Sequence, residues 1–181
     1  RRSSQTVLFD ILVVLTKLMA PVLSFTAEEI WRMLPEVVRT ESQAPSVHMA
    51  MFPEVDARWV DPELAKRWDQ LLEVRVAVQA ALEAKRRDKL IGAPLEARVI
   101  IEANTERYEF LSRYQQDLPS FFIVSEVKLV PVHHLPVNPD FRVQVERAVG
   151  EKCERCWNYR PAVGSFPDHP TLCDRCVEAV R

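Results

Sequence analysis

The first apolar run of the chain extends from Val7 to Phe25 and is its only candidate for a membrane span. Asp10, Lys17 and Pro21 interrupt this run, and a membrane-spanning helix would tolerate such residues poorly. The pattern therefore favours a protein without a membrane span. It predicts a buried helix over Thr6–Met19 that ends or kinks at Pro21.

A second helix is predicted to begin with a capping box. Thr26 is expected to cap the helix, and Glu29, three residues later, to reach back to the N–H of the cap. Phe25 is expected to pack on Ile30 across this first turn. Trp31 follows on the apolar side of the helix, which indicates a core residue rather than a binding platform.

The longest helix is predicted to begin at Asp61, with Pro62 in the first helical position, where its missing N–H costs nothing. It is expected to continue to about Leu90 and to stop at Gly92. Its apolar stripe is formed by Leu64, Trp68, Leu71, Leu72, Val78 and Leu82.

Beyond this helix the apolar spacing changes from helical to alternating, which indicates strands. Strands are predicted from Leu95 to Ile101, over Phe121–Val132 and over Phe141–Val149, and a helix over Thr105–Leu118. The chain is therefore expected to be mainly α with a small α+β unit. His133 and His134 are expected at a surface end of the second strand, without a role as metal ligands.

The chain has 181 residues, of which 48% are apolar and 28% are charged, so it can bury a substantial core. Its formal net charge of −2 excludes a globally basic nucleic-acid-binding protein, and any such binding must come from local patches. The sequence opens on Arg1-Arg2-Ser3-Ser4 without an initiator Met, which favours a fragment of a longer protein.

All four cysteines lie near the end of the chain, as two pairs of Cys-x-x-Cys separated by sixteen residues: Cys153, Cys156, Cys173 and Cys176. Two such pairs can supply the four corners of a closed tetrahedral Zn²⁺ shell. Disulfides suit secreted mini-proteins, and a thioredoxin-like pair or a c-type haem needs other neighbours. The spacing therefore predicts one structural Zn²⁺ per chain, bound by these four residues.

The loop between the two pairs is broken into turns by Pro161, Gly164, Pro167 and Pro170. Such a loop has little core of its own, so metal binding is expected to supply most of its folding free energy, roughly 10 kcal/mol or more.

Two groups of residues are candidates for contact with a nucleic acid. The last turns of the long helix carry Lys85, Arg86, Arg87 and Lys89, which either complement the helix C-terminus or contact phosphates. The cysteine pairs are surrounded by Arg155, Trp157, Tyr159, Arg160 and Arg175. These residue types stack on unpaired RNA bases and bind phosphates. Alternatively, Trp157 and Tyr159 form the small core of the module, and Arg155 and Arg175 neutralise the thiolates.

The sequence contains no Gly-rich phosphate loop, GxSxG elbow or HExxH motif, so these residues are expected to bind rather than to catalyse.

At its end, in Cys153–Tyr159 and Leu172–Val177, the chain resembles the C-terminal zinc domain of bacterial isoleucyl-tRNA synthetases. The resemblance extends to Lys85–Ala97 and Phe122–Ser125. The segment Leu18–Trp31 is similar to the helical anticodon-binding domain that the isoleucyl, valyl, leucyl and methionyl enzymes share. The resemblance covers essentially the whole chain, and the zinc end selects isoleucine.

This resemblance implies the C-terminal part of a class I enzyme that attaches isoleucine to its tRNA with ATP, without the HIGH, KMSKS and editing regions. It implies three segments: helices of an anticodon-binding bundle (1–58), a long helix with an α+β junction unit (59–148) and a ribbon-like zinc module (149–181). The expected partners are the anticodon arm of tRNA(Ile) and the catalytic and editing domains of a monomeric, cytoplasmic parent enzyme.

Other functional classes remain as alternatives. A free-standing zinc-ribbon nucleic-acid-binding protein would explain the cysteines but not the long helical front. A protein-interaction scaffold, stapled by zinc and without RNA binding, is compatible with the net charge of −2.

Overall fold

The computed structural model describes residues 2–41, 44–133, 135 and 140–180. The chain divides into two compact units, Arg1–Asp61 and Pro62–Arg181. The expected fold class is confirmed, since about half of the chain is helical and a small sheet is present. No helix among the described residues is long and apolar enough to cross a membrane.

The first unit contains the helices α1 (Arg2–Met19), α2 (Ser24–Met33) and α3 (Glu36–Glu41), followed by 3-10 turns at Val47–Met49 and Ala57–Trp59. The first 3-10 turn is capped by Ser46, whose hydroxyl accepts a hydrogen bond from the N–H of His48.

Trp31 is fully buried in the core of this unit, as expected from its position on the apolar side of α2. Its indole Nε1 donates a hydrogen bond of 3.0 Å to the carbonyl oxygen of Ala44. The Nζ of Lys17 lies 5.8 Å from the centre of the indole ring. The side chain therefore holds together α1, α2 and the following loop, and a role as a core residue is confirmed.

The helix α1 is confirmed, but its predicted burial is wrong. Among its described residues only Thr16 is buried, whereas Val7 and Leu8 are 56% and 64% exposed. Apolar residues occur all around this helix, and α2 can cover one side of it.

The predicted capping box is also wrong, because α2 begins earlier than Thr26. The N–H of Leu23 donates to the carbonyl of Met19, and the N–H of Ala27 donates to the carbonyl of Leu23. The turn after α1 therefore continues directly into α2, and Thr26 lies inside its first turn. Phe25 is 93% exposed and packs on nothing that would fix the helix start.

Glu28, rather than Glu29, is the anchoring carboxylate of α2. Its Oε2 accepts hydrogen bonds from the hydroxyl of Ser46 at 2.8 Å and from the N–H of Val47 at 3.0 Å. Its Oε1 accepts one from Nε of Arg32 at 3.0 Å. The bond from Ser46 is the main cause of a lowered Glu28 pKa, to which Val47 and Arg32 add against the opposing effect of burial.

The second unit begins with α4 (Pro62–Arg87), as expected from Pro62, and continues with a 3-10 turn at Pro94–Glu96 and strand β1 (Ala97–Ala103). The chain then forms α5 (Thr105–Ser112) and α6 (Leu118–Phe122).

Two further strands, β2 (Glu126–Pro131) and β3 (Phe141–Arg147), complete the sheet in the order β2-β1-β3. β1 lies in the middle, parallel to β2 and antiparallel to β3. Its alternate residues are buried, as the alternating pattern predicts, in a core shared with α4 that includes Val74, Val78, Val99, Ile101, Leu111 and Leu118.

The predicted stripe of α4 is only partly correct. Leu71, Val78 and Leu82 are buried, but Leu64, Trp68 and Leu72 are more than 40% exposed. Val74, which the predicted stripe omitted, is fully buried.

The helix α4 ends before Gly92, at a lysine in the left-handed region. Lys89 has φ 58°, its N–H donates to Arg86, and the N–H of Leu90 donates to the carbonyl of Lys85. This is the Schellman arrangement, in which glycine is usual at the position of Lys89. The prediction that Gly92 stops the helix is therefore wrong.

The predicted helix over Thr105–Leu118 ends early, and the predicted strand over Phe121–Val132 begins too early. The short helix α6 begins at Leu118, has Pro119 in its first turn, and is followed by Ile123 with φ 60°. His133 is exposed just beyond β2, as expected, and His134 lies outside the described residues.

The end of the chain forms a small module from β4 (Glu151–Lys152), β5 (Tyr159–Arg160) and α7 (Asp174–Glu178). β4 and β5 pair in antiparallel fashion. The hydroxyl of the buried Ser125 accepts the N–H of Tyr159 at 2.7 Å and donates to the carbonyl of Leu95 at 2.5 Å. One hydroxyl thus connects the module to the α+β part of the same unit.

Candidate metal centre and nucleic-acid interface

The four cysteine side chains lie close together, one pair in the turn between β4 and β5 and the other at the start of α7. Their Sγ atoms lie within 4.8 Å of one another, and those of Cys156 and Cys173 are 3.7 Å apart. A tetrahedral ion with Zn–S bonds of about 2.3 Å requires sulfur separations of about 3.8 Å, whereas a disulfide requires about 2.05 Å. All four cysteines are free. The cluster therefore has the donors and the spacing of a closed four-thiolate zinc site.

Backbone hydrogen bonds shape both cysteine pairs. The N–H of Cys153 donates to the carbonyl of Asn158, and the N–H of Trp157 donates to the carbonyl of Cys153 at 2.8 Å. The chain is thereby folded into a tight turn between β4 and β5. At the second pair, Cys173 precedes α7 and Cys176 lies in its first turn.

Hydrogen-bond donors point at the sulfurs and favour thiolates. The N–H of Cys173 donates to Sγ of Cys153 at 3.4 Å, and the side-chain amide of Asn158 donates to Sγ of Cys156 at 3.6 Å. Burial raises the pKa of Cys153, but the backbone N–H groups of Cys156, Cys173 and Arg155 outweigh it and lower this pKa to about 6.

The thiol of Cys173 behaves in the opposite way. Burial raises the pKa of Cys173 to about 12, and the neighbouring thiols add to this rise. Four thiolates cannot coexist in this small volume without a cation, so a bound metal must displace protons. A divalent ion would leave the cluster with a net charge of −2.

Trp157 lies on the surface, and the expectation that it forms the core of the module is wrong. Its side chain is 61% exposed, while the cysteines pack against Val163 and Leu172. Its backbone has φ 63°, a conformation that is costly for a bulky residue. Lys152 Nζ lies 5.4 Å from the ring centre. The turn after the second cysteine requires this conformation and turns the indole outward.

The basic turn of α4 is exposed and partly paired with acids. Lys85 Nζ lies 3.4 Å from a carboxylate oxygen of Asp88, and Arg86 and Arg87 each approach Glu83 at 3.9 Å. Such surface pairs contribute little and can be exchanged for a phosphate. Arg86 and Ile123 both line a groove of about 230 Å³.

The remaining candidates lie around the metal centre. Arg155 and Arg175 are exposed, and Tyr159 and Arg160 are half-buried in β5. Arg160 and Arg175 line a second groove, to which Ile123 also contributes. One residue, Ile123, thus lines both the groove of Arg86 and the groove of Arg160 and Arg175.

Sequence reasoning missed three residues that shape this site. Ser125 connects the module to the sheet, Asn158 donates to a thiolate, and Lys152 lies over the ring of Trp157. Asn158 and Lys152 flank the first cysteine pair, so their proximity was visible in the sequence. The contact of Ser125 spans 34 residues, and no local pattern reveals it.

Two family models match the chain, one over its first 101 residues and one near its end. Residues 1–101 match the family described as "Anticodon-binding domain of tRNA ligase". Residues 150–179 match the "Zinc finger found in FPG and IleRS". This match and the four-sulfur cluster together indicate one structural zinc.

Curated relatives align with the chain along nearly its whole length. It is 46% identical over 182 residues to the isoleucine–tRNA ligase of Syntrophotalea carbinolica, covering 98% of this chain and 19% of the relative. It is 45% identical over 191 residues to that of Symbiobacterium thermophilum (99% and 20%) and 44% identical over 186 residues to that of Geobacter sulfurreducens (100% and 20%). The chain therefore spans about a fifth of the length of these relatives.

The resemblance to isoleucyl-tRNA synthetases is thus confirmed. Because the first match covers more than half of the 181 residues, the chain belongs to the family of anticodon-binding domains of tRNA ligases.

Proposed function

We propose that this chain is the tRNA-binding region of an isoleucine–tRNA ligase, the enzyme that attaches isoleucine to its tRNA with ATP. The observation that carries the proposal is the presence, in one chain, of an anticodon-binding domain and a zinc finger of the IleRS type. The partner would be the anticodon arm of tRNA(Ile), and the whole enzyme would act as a monomer in the cytoplasm. The segments 1–58, 59–148 and 149–181 would be its functional parts.

We propose Cys153, Cys156, Cys173 and Cys176 as the zinc ligands. Their four Sγ atoms fit one tetrahedral ion, and the N–H donors directed at the sulfurs stabilise the thiolate form that zinc requires. With every position filled by sulfur, the ion would have a structural role and would fix the turn that carries Trp157.

Trp157 would stack on an unpaired base of the anticodon loop. Its exposed ring and its strained backbone support this role, because a glycine would satisfy the same turn at lower cost. Single-stranded RNA is bound by such aromatic surfaces. Arg155 and the half-buried Tyr159 would border this contact.

The basic turn of α4 would contact RNA phosphates. Lys85 is weakly paired with Asp88, just beyond the helix, and Arg86 and Arg87 are weakly paired with Glu83. Lys89 has no ion-pair partner among the described residues. Because the chain as a whole carries a charge of −2, this local excess of cations would determine where RNA binds.

The proposal is tested by titrating the zinc-loaded chain with the anticodon stem-loop of an isoleucine tRNA and with that of a methionine tRNA. The isoleucine stem-loop should bind more tightly. Trp157→Gly should weaken binding by about tenfold or more, since stacking of one base contributes about 1–3 kcal/mol. The matched control is Trp59→Gly, because Trp59 is similarly exposed, at 65%, and lies in the first unit.

Equal affinity for both stem-loops would contradict recognition of the isoleucine tRNA. Absence of binding to either RNA by the zinc-loaded chain would favour the interaction scaffold instead. Equal losses for Trp157→Gly and Trp59→Gly would contradict the stacking role of Trp157.

A further inference from the structure

A polar groove of about 300 Å³ lies where the zinc module meets the α+β part of its unit. Its wall on the sheet side comes from α6 and the loops around it, and its wall on the module side comes from the turn before β5, from β5 and from α7. The residues that bear on its chemistry are Gln116, Ser120, Ile123, Asn158, Arg160 and Arg175.

Two arginines border the groove beside the zinc cluster. Arg160 and Arg175 line it together with the metal ligand Cys156, and the described lining includes no carboxylate. Neither guanidinium has an ion-pair or hydrogen-bond partner among the described residues. By contrast, Arg107 elsewhere in this unit is paired with Glu73 and Asp140. Two unpaired guanidiniums that face one groove favour an anionic ligand.

Neutral polar groups lie beside these arginines. The amide nitrogen of Asn158 donates to Sγ of Cys156, which leaves its carbonyl oxygen as an acceptor. Gln116 and Ser120 are exposed at the other wall and supply both donors and acceptors. This combination suits the edge of a base next to a phosphate, and RNA bases are read in this way when they are unstacked.

The wall of the groove also contains a strained residue. Ile123 has φ 60° and its side chain is 54% exposed. A β-branched residue is strongly disfavoured in this region, so nothing in the turn itself favours isoleucine there. Its exposed apolar surface separates this groove from the one lined by Arg86.

We propose that this groove binds one unstacked nucleotide of an RNA loop. Arg160 and Arg175 hold its phosphate, Ile123 contacts the face of its base, and Gln116, Ser120 and Asn158 bind the edge. This inference rests on the proposed RNA-binding function and gives it a specific subsite. The junction at Ser125 fixes the distance between the two walls.

The competing explanation is that the arginines neutralise the zinc-bound thiolates. Neither guanidinium donates to a cysteine sulfur in the described structure, whereas Asn158 and the N–H of Cys173 do. The sulfurs of Cys153 and Cys156 therefore obtain hydrogen bonds from other donors, and the two guanidiniums remain available to a ligand in the groove.

The test uses the full chain loaded with zinc and the isoleucine anticodon stem-loop, with affinity measured at several salt concentrations. Arg160→Gln and Arg175→Gln should each weaken binding about five- to twentyfold and reduce the salt slope by about 0.7, the value for one contact to single-stranded RNA. The double variant should lose less than the product of the two single losses, because both arginines hold the same phosphate. Gln116→Ala should change the preference for one loop base and leave the salt slope unchanged.

The matched control is Arg142→Gln, which removes the same charge from an exposed residue. Arg142 lies on β3, at the opposite edge of the sheet from β2, and pairs in register with Glu102 near the far end of β1. The RNA affinity and the salt slope of Arg142→Gln should equal those of the unmodified chain.

Each outcome decides between the explanations. One outcome is that the unmodified chain binds the stem-loop with the same affinity as Arg160→Gln, Arg175→Gln and the double variant. In that case the groove is not the subsite, although the proposed function stands. If the variants lose zinc in parallel with RNA affinity, the arginines serve the thiolates and the inference is overturned. If the unmodified chain binds no RNA, the proposed function itself fails.

Discussion

Ser125 is the most informative single residue for how the zinc module is attached. Its side chain is buried, with 4% of the residue exposed, and its hydroxyl bonds both Leu95 and Tyr159. Ser125→Ala removes both bonds and leaves a carbonyl and an N–H without partners. An unsatisfied buried group costs about 1–3 kcal/mol, and the half-buried positions of Leu95 and Tyr159 favour about 1–2 kcal/mol for each. We therefore expect a loss of about 2–4 kcal/mol in the free energy of unfolding.

The assay is urea unfolding of the zinc-loaded chain, followed through zinc release to a coloured chelator. With an m-value of about 2 kcal/mol/M, the expected loss lowers the midpoint of zinc release by about 1–2 M. Ser112→Ala is the matched control, because its hydroxyl donates to the carbonyl of Tyr108 four residues earlier in the same helix. That variant should shift the midpoint by about 0.5 M or less, since it removes one local bond.

Equal midpoints for Ser125→Ala and Ser112→Ala would refute this reasoning. The module would then be held by the metal alone, and the contact between Ser125 and Tyr159 would contribute nothing to its stability.

Three further substitutions test particular features of the fold. Lys89→Gly should raise the free energy of unfolding by about 0.5–1 kcal/mol, because glycine suits φ 58° better than lysine. The same substitution should weaken RNA binding, because it removes a cation. A fall in stability would contradict the backbone strain at Lys89. Gly150→Ala should destabilise the module and release zinc at lower urea, because a Cβ there would lie 2.3 Å from the backbone carbon of Arg160; an unchanged midpoint would be inconsistent with this close contact. Since the Glu28 pKa is lowered in the folded state, its stabilising effect is complete above the unfolded pKa of about 4.3 and is lost as pH falls through the folded value. The stability advantage of the unmodified chain over Glu28→Gln should therefore disappear in acid, and an advantage independent of pH would exclude this role.

The sequence predicted features that depend on local spacing. The alternation in β1, the proline at the start of α4 and the two cysteine pairs each contain their own structural reason within a few residues. Burial of α1 was predicted wrongly, because a helix with apolar residues on every side does not reveal which side its neighbours cover.

The features that were missed depend on distant contacts or on unusual backbone. Glu28 bonds a loop eighteen residues away, and Ser125 bonds Tyr159 across 34 residues. Lys89 and Trp157 occupy left-handed positions that propensity assigns to glycine. Because propensity does not predict a left-handed tryptophan, the exposure of the Trp157 ring was missed. The prediction from local propensity therefore failed at a residue that we propose to be functional.

The most direct test of the whole account measures metal content and RNA affinity on the same samples while zinc is removed stepwise with a chelator. The account predicts one zinc per fully loaded chain and an affinity for the isoleucine anticodon stem-loop that falls in proportion to the zinc removed, with recovery when zinc is restored. An RNA affinity that is undiminished in zinc-free protein would contradict the central claim that the metal centre forms part of the RNA-binding surface.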